Sequence, residues 1–268
     1  MSVDSATIAF AQRLADTAGE VIRPFFRQRI DVTDKGLAEG GKFDPVTAAD
    51  QGAEKAIRAI IERERPNDGI LGEEFGEKPS ANGFRWVLDP VDGTRAFICG
   101  RHEWGSLIAL EENGCAVLGI IDQPVVGERF IGVNGKTELI AAGLRTPLQV
   151  RSCADLKEAV LCATHPEAYF TPDERDAFRR VQSAVRMTRF GGDCYLFGLL
   201  ALGFIDLIVE ASFHRWDVAA LIPVVEGAGG IITNWRGESC AHGGQILAAG
   251  DPRVHAQAIA LLSNLDNS

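Results

Sequence analysis

Asp89-Pro90-Val91-Asp92-Gly93-Thr94 constrains this chain most, because it packs two carboxylates, a proline turn and a glycine into six residues directly behind an apolar run. That run, Phe84-Arg85-Trp86-Val87-Leu88, is β-prone and predicts a buried strand. Asp89 then falls at the strand end, and Pro90 forces a turn. The turn presents Asp89, the Val91 carbonyl and Asp92 to one side, a set of hard oxygen donors of the kind Mg²⁺ selects. Gly93 allows close backbone approach, and Thr94 brings a hydroxyl and an N–H to a helix start, where an anion is favoured. A plain Asp-Gly turn would explain an isolated pair of aspartates. It explains poorly the acidic motifs that accompany this one.

The bulk properties narrow the field. A chain of 268 residues with 46% apolar content can build one large domain or two closely joined halves. A formal charge of −10, with no Lys/Arg block, argues against a nucleic-acid footprint. The same charge would repel an anionic substrate unless bound divalent cations reversed the field locally. Six cysteines are scattered without a C-x-x-C pair, and no secretory signal is visible, so reduced thiols in a cytoplasmic protein are expected. No apolar run has the length of a membrane span, and no membrane partner is expected.

Helical spacing of Ile8, Leu14, Ala18, Val21, Ile22 and Phe25 predicts a helix over residues 5–29. A polar Gly-rich loop, Asp31 to Asp44, follows, and its Gly40-Gly41 predicts mobility. Thr47 and Asp50 have capping-box spacing for a helix ending near Arg65. A short strand delivers Gly72-Glu73-Glu74. Between Gly105 and Ala141 the pattern turns to four strands, with hairpin turns at Asn113-Gly114 and Asn134-Gly135. Strands and helices then alternate to a last helix from Asp251 to Leu262. This is a mixed α/β (α+β) pattern of layered sheets and helices.

Asp50, Glu73-Glu74, Asp89/Asp92 and Asp217 each lie at a predicted strand end or helix start, where side chains can converge on a cleft. Carboxylates so converged repel one another unless cations sit among them. None of the five histidines forms a metal or triad pattern, and Ser106 lacks a nucleophile elbow.

Gly72-Glu73-Glu74, Asp89-Pro90-Val91-Asp92-Gly93-Thr94 and Trp216-Asp217-Val218-Ala219-Ala220, followed by Glu226-Gly227-Ala228-Gly229-Gly230, occur in the order seen in the inositol monophosphatase family, which the chain resembles almost end to end. The resemblance implies a layered αβαβα sandwich of the inositol monophosphatase/carbohydrate phosphatase type. It implies one continuous domain in two halves, with residues 1–145 carrying most metal ligands and 146–268 completing the site. It also implies a Mg²⁺-dependent, lithium-sensitive phosphomonoesterase that uses metal-activated water and forms a homodimer. Glu73, Asp89 and the Val91 carbonyl would hold one Mg²⁺, and Asp89, Asp92 and Asp217 a second. Gly93 and Thr94 would receive the phosphate on their backbone N–H groups. Asp50 and Thr94 would orient and deprotonate the attacking water, and Asp50 would touch a weaker third Mg²⁺ through water. Glu74 would orient water beside the metals.

Arg95-Ala96-Phe97 and the stretch Arg189-Phe190-Gly191-Gly192-Asp193-Cys194-Tyr195 resemble the histidinol-phosphatase branch of the family. That implies L-histidinol phosphate as the small-molecule ester and a place in histidine biosynthesis. Asp193 and Glu210, with Arg95, would line the substrate side, and the two carboxylates would grip the cationic amine. N-capping for Asp193 and a strand-end charge for Glu210 are the plainer alternatives. An inositol or sugar monophosphatase, or an adenosine 3′,5′-bisphosphate 3′-phosphatase, stays open. So does a non-catalytic regulatory protein on the same scaffold, although no metal ligand is lost.

Overall fold

Alternation along the strands sorts the apolar residues into layers. In the computed structural model, which describes residues 2–29, 31–34 and 45–263, the first half begins with α1 (Ser5–Ile22), capped by the Asp4 carboxylate. Pro24 turns the following residues into a single 3-10 turn, so the helix stops short of the expected residue 29. Strands β1 (Val32–Asp34) and β2 (Pro45–Thr47) pair antiparallel. β1 falls within the span expected to be a loop. Residues 35–44, and with them the expectation of a mobile loop, lie outside the described residues. The Thr47–Asp50 capping box opens α2 (Ala48–Glu64) as the spacing predicts.

The main sheet has eight strands: β3 (Gly69–Gly72), β4 (Gly76–Lys78), β5 (Phe84–Asp92), β6 (Gly105–Glu112), β7 (Cys115–Gln123), β8 (Glu128–Val133), β9 (Lys136–Ala141) and β10 (Leu144–Pro147). Their order is 10-9-8-7-6-5-3-4, parallel only between β3 and β5. Asn113-Gly114 and Asn134-Gly135 all have positive φ, as the two-residue hairpin turns require. The short edge strands β4 and β10 were not legible, because neither alternates apolar with polar residues. β10 straddles the 145/146 boundary between the expected halves.

One face of this sheet, with Trp86, Leu88, Ile108, Leu110 and Ile120, packs against α1 and α2. The other, with Val87, Leu107, Ala109 and Ile121, packs against α6 (Tyr195–Ala201) and α8 (Leu221–Gly227). Beyond those helices lies a five-stranded sheet built from β11 (Val160–Ala163), β12 (Met187–Phe190), β13 (Leu207–Phe213), β14 (Ile231–Thr233) and β15 (Gly244–Ala249). Its outer face carries α5 (Pro172–Ala184) and α9 (Pro252–Leu262), packed through Phe178, Val181, Val254 and Leu262. The result is the expected αβαβα sandwich. The short helices α3 (Thr94–Ile98), α4 (Pro166–Tyr169) and α7 (Arg215–Val218) lie at its connections.

The two halves meet at backbone distance. A Cβ on Gly119 would sit 2.0 Å from the Ala220 carbonyl oxygen, and one on Gly132 would sit 2.2 Å from the Pro223 carbonyl. Neither obstacle is a flexible side chain. Gly132→Ala is therefore expected to destabilise by about 3 kcal/mol, at the upper end for overpacking, and to lower Tm by roughly 5–10 °C. Thermal unfolding followed by circular dichroism checks it, and an unchanged Tm would show that α8 can move away freely.

All six cysteines are free, four of them buried, with Cys99 and Cys115 exposed. Trp86 and Trp104 are fully buried. No helix among the described residues is long and apolar enough to cross a membrane.

Candidate active site

β5 delivers Asp89 and Asp92 because its pairing with β6 is interrupted between those two residues. Inside that irregularity the Asp89 carboxylate accepts the Val91 N–H at 3.1 Å, and the Ser106 hydroxyl donates to the Pro90 carbonyl at 2.7 Å. Ser106 is thus a strut for the turn, consistent with its rejection as a nucleophile. Gly93 follows at φ +85°, and Thr94 opens α3. The left-handed conformation is open to glycine without strain, and a Cβ there would meet the Asp193 carboxyl carbon at 2.9 Å.

Asp217 arrives from the other half on α7. Its carboxylate accepts the His214 N–H at 2.6 Å, which closes a capping box on this four-residue helix. Ligand oxygens of Asp89, Asp92 and Asp217 all lie within 4.8 Å of one another. Three converging carboxylates form an all-oxygen donor set that fits a hard divalent cation. Their electrostatics agree. Burial raises Asp89 well above the usual carboxylate range, and the charges of Glu73, Asp92, Asp217 and Asp50 raise it further. Burial and then the Asp217 charge push Asp92 up to about 7, opposed by the Cys194 N–H that donates to it at 2.7 Å. Carboxylates this crowded call for positive charge among them.

Glu73 lies outside that tight triad, but its charge is the one that raises Asp89 most. The turn that carries it is held by a residue the sequence reading overlooked. Glu54, fully buried on α2, accepts the N–H groups of Glu74 at 2.8 Å and Phe75 at 3.2 Å and pairs with Arg58. A glutamate at a helical core position could have flagged it, since such burial demands partners. Asp50 is also buried, and burial raises its carboxyl. One of its oxygens accepts from Thr47 N–H at 3.0 Å and the Thr47 hydroxyl at 2.5 Å. The Thr94 hydroxyl lies 3.3 Å from its other oxygen and 3.0 Å from the Val91 carbonyl.

Asp193 sits at φ +44° after Gly191 and Gly192, both also at positive φ. It does not cap the next helix. The N-cap of α6 is Cys194, without a side-chain cap, so the capping alternative fails. Burial raises Asp193 well above its ordinary value, with further contributions from Asp92 and Glu210. Glu210 is not a strand-end charge either. It lies inside β13, opposite Ile246 and 1% exposed. Burial pushes it up to about 8, although the Thr164 N–H donates to it at 2.5 Å. The Arg95 guanidinium lies over the Tyr169 ring at 4.8 Å.

Comparison with known proteins follows the same line. A family model described as the inositol monophosphatase family matches residues 4–267. A histidinol-phosphatase of Mycobacterium tuberculosis is 35% identical over 92% of this chain and 94% of its own length. A bifunctional chloroplast phosphatase of Arabidopsis thaliana is 42% identical over 94% of this chain and 73% of its own length. Among solved structures, an inositol monophosphatase from Zymomonas mobilis superposes with a TM-score of 0.86 and 44% identity, covering 98% of this chain and 100% of that one.

Proposed function

The chain belongs to the inositol monophosphatase family and is a phosphoric monoester hydrolase, and from that premise we propose that its substrate is L-histidinol phosphate. The observation that carries this reading is a second pair of carboxylates close enough to Asp92 to feel its charge: Glu210, which is buried, and Asp193, which is half-buried and stands against Gly93. A phosphate ester of a neutral polyol has no use for two further acids beside the triad. An ester bearing an ammonium does, since the cation lets both ionise. The histidinol-phosphatases of Mycobacterium tuberculosis and Chlorobaculum parvum, each 35% identical, support it. The likeness to the Zymomonas mobilis inositol monophosphatase favours inositol 1-phosphate as the second reading.

In the proposed mechanism, Asp89, Asp92 and Asp217 would hold one Mg²⁺, and Glu73, Asp89 and the Val91 carbonyl would hold a second. When bound, the metal ions supply positive charge that offsets the phosphate and stabilises the leaving oxygen. The remaining work belongs to the chain. The backbone N–H groups of Gly93 and Thr94 orient the phosphate oxygens. The Thr94 hydroxyl, held between the Val91 carbonyl and Asp50, accepts a proton from the attacking water and passes its own to Asp50. Burial raises the proton affinity of Asp50 and so suits it to receive that proton. Glu74 orients water beside this centre. Asp193 and Glu210 grip the ammonium, and Arg95 flanks them against Tyr169.

Phosphate release from L-histidinol phosphate, inositol 1-phosphate and adenosine 3′,5′-bisphosphate at matched concentrations tests the assignment. A large kcat/KM preference for the first is expected, with Asp193→Asn raising its KM and leaving that for inositol 1-phosphate unchanged. Preference for a neutral ester, or an unaltered KM in Asp193→Asn, would overturn it.

Glu210 gives a pH signature. Its folded-state pKa of about 8 lies above the ordinary carboxylate value, so its contribution to stability is full below that ordinary value and is lost as pH rises through about 8. Binding has the opposite sign, because only ionised Glu210 attracts an ammonium. KM for histidinol phosphate should therefore fall as pH rises through about 8 while Tm without substrate falls. Both trends should flatten in Glu210→Gln, as KM and Tm measured across pH 6–9 would reveal (roughly the window the raised pKa sets).

A further inference from the structure

We propose that Glu111 is a positioning residue for the metal centre: through Arg215 it fixes the helix carrying Asp217 against the strand carrying Asp89 and Asp92. The inference rests on the reading of those three aspartates as metal ligands.

Glu111 lies near the end of β6 and is 2% exposed, yet both its oxygens are used. Oε2 accepts from Arg85 Nε at 2.9 Å and from a second Arg85 nitrogen at 2.7 Å. Oε1 accepts from Arg215 Nε at 2.8 Å. The outer ends of both guanidiniums are tied as well. Arg85 reaches Glu77 at 3.0 Å, and Arg215 donates to the Gly114 carbonyl at 3.1 Å and lies 3.3 Å from a ring nitrogen of His242. One buried carboxylate therefore joins two half-buried arginines from opposite halves of the protein.

Position links this bridge to the triad. Arg85 pairs directly with Glu111 across the β5–β6 ladder and lies four residues before Asp89 on the same strand. Period-two alternation puts Arg85, Val87 and Asp89 on one face, and Val87 packs in the core between the halves. The register of β6 against β7 shifts between Leu110 and Glu111, a break of the kind that re-aims a side chain. Arg215 lies two residues before Asp217 on α7.

α7 has only four residues, too few for its own backbone bonds to fix its orientation. The capping contact from the His214 N–H fixes the Asp217 carboxylate relative to α7, so what must come from outside is the orientation of α7 itself against β5. An apolar contact would dock α7 about as well, since buried ion pairs add little net stability over well-packed hydrophobic residues. What a guanidinium fork on a buried carboxylate adds is a fixed direction. That is what a ligand set drawn from two halves needs.

The test is Mg²⁺ binding to the substrate-free full chain by isothermal titration calorimetry, with Tm measured in parallel. Glu111→Gln and Arg215→Met are expected to raise the Mg²⁺ Kd roughly ten-fold or more, as the loss of groups that orient metal ligands does, with Arg215→Lys falling in between. Arg151→Met, which strips the partner from buried Asp206 elsewhere in the second half, should lower Tm without moving the Kd. Should Arg215→Met fail to fold, the intermediate Kd of Arg215→Lys carries the test. Variants at Glu111 and Arg215 that lower Tm but leave the Mg²⁺ Kd unchanged would overturn the proposal. Asp217→Asn separates the two layers of the argument. If it binds Mg²⁺ like the native protein, the metal reading fails and the clamp with it. If it loses binding while Glu111→Gln does not, the clamp alone fails.

Discussion

Replacing Asp89 by asparagine should lower kcat for phosphate release by roughly a thousand-fold or more, about 4 kcal/mol of barrier, while raising the Tm of the metal-free protein. The two effects share one cause. Asp89 is fully buried and faces Glu73, Asp92, Asp217 and Asp50, so without cations its charge opposes folding. Asparagine keeps the shape and the acceptor for the Val91 N–H while deleting that charge. It also removes the one carboxylate assigned to both metal sites. Mg²⁺ at a hundred-fold excess over its Kd should stabilise the native protein by about 2.7 kcal/mol, and the variant should lose most of that gain. Differential scanning calorimetry with and without Mg²⁺, beside a phosphate-release assay, reads both effects. A variant that kept native turnover would remove Asp89 from the reaction. One less stable than the native protein in EDTA would contradict the electrostatic account.

Gly93→Ala should be nearly as damaging to turnover and should act through geometry alone. The residue sits at φ +85°, where an L side chain is strained by about 1–2 kcal/mol. Its Cβ would fall 2.9 Å from the Asp193 carboxyl carbon and 3.2 Å from the Glu103 carbonyl oxygen. The strand-to-helix turn must then shift, and with it Thr94 and the two N–H groups proposed to hold the phosphate. Displacements of about 1 Å at such positions cost on the order of a hundred-fold in rate. Steady-state kinetics should show kcat reduced, whereas Mg²⁺ binding by calorimetry should be largely retained, because no carboxylate is lost. Retention of native kcat would mean that the turn does not position the reacting groups.

Much of this was legible because local chemistry carries it. The Thr47–Asp50 capping box, the Asn-Gly hairpins and the strand leading to Asp89 all formed where the residue pattern placed them. What escaped has a common character. β1, β4 and β10 are short pairings with no alternating pattern, completed by a neighbouring strand. Glu54 and Glu111 have no partner that the sequence names, and the groups that satisfy them in the interior, the Glu74 and Phe75 N–H groups and the Arg85 and Arg215 guanidiniums, come from distant segments. The capping role open to Asp193 and the strand-end role open to Glu210 were decided by tertiary context. Three successive positive-φ residues lift Asp193 out of the cap, and β13 runs on to Phe213 and encloses Glu210.

The sequence by itself determined the turn that carries Asp89, Val91 and Asp92, the family to which the chain belongs, and the layered alternation of helices and sheets. Each of these is written in contiguous residues, where proline, glycine and hydrophobic period act over a few bonds. Only the tertiary structure decided that Asp217 stands within 4.8 Å of Asp89 and Asp92, and that a buried bridge from Arg85 through Glu111 to Arg215 joins the elements that carry them. Residues more than a hundred positions apart come together when the packing of the β6–β7 face against α8 joins the two halves. That packing is a sum over many apolar contacts, which no single motif encodes.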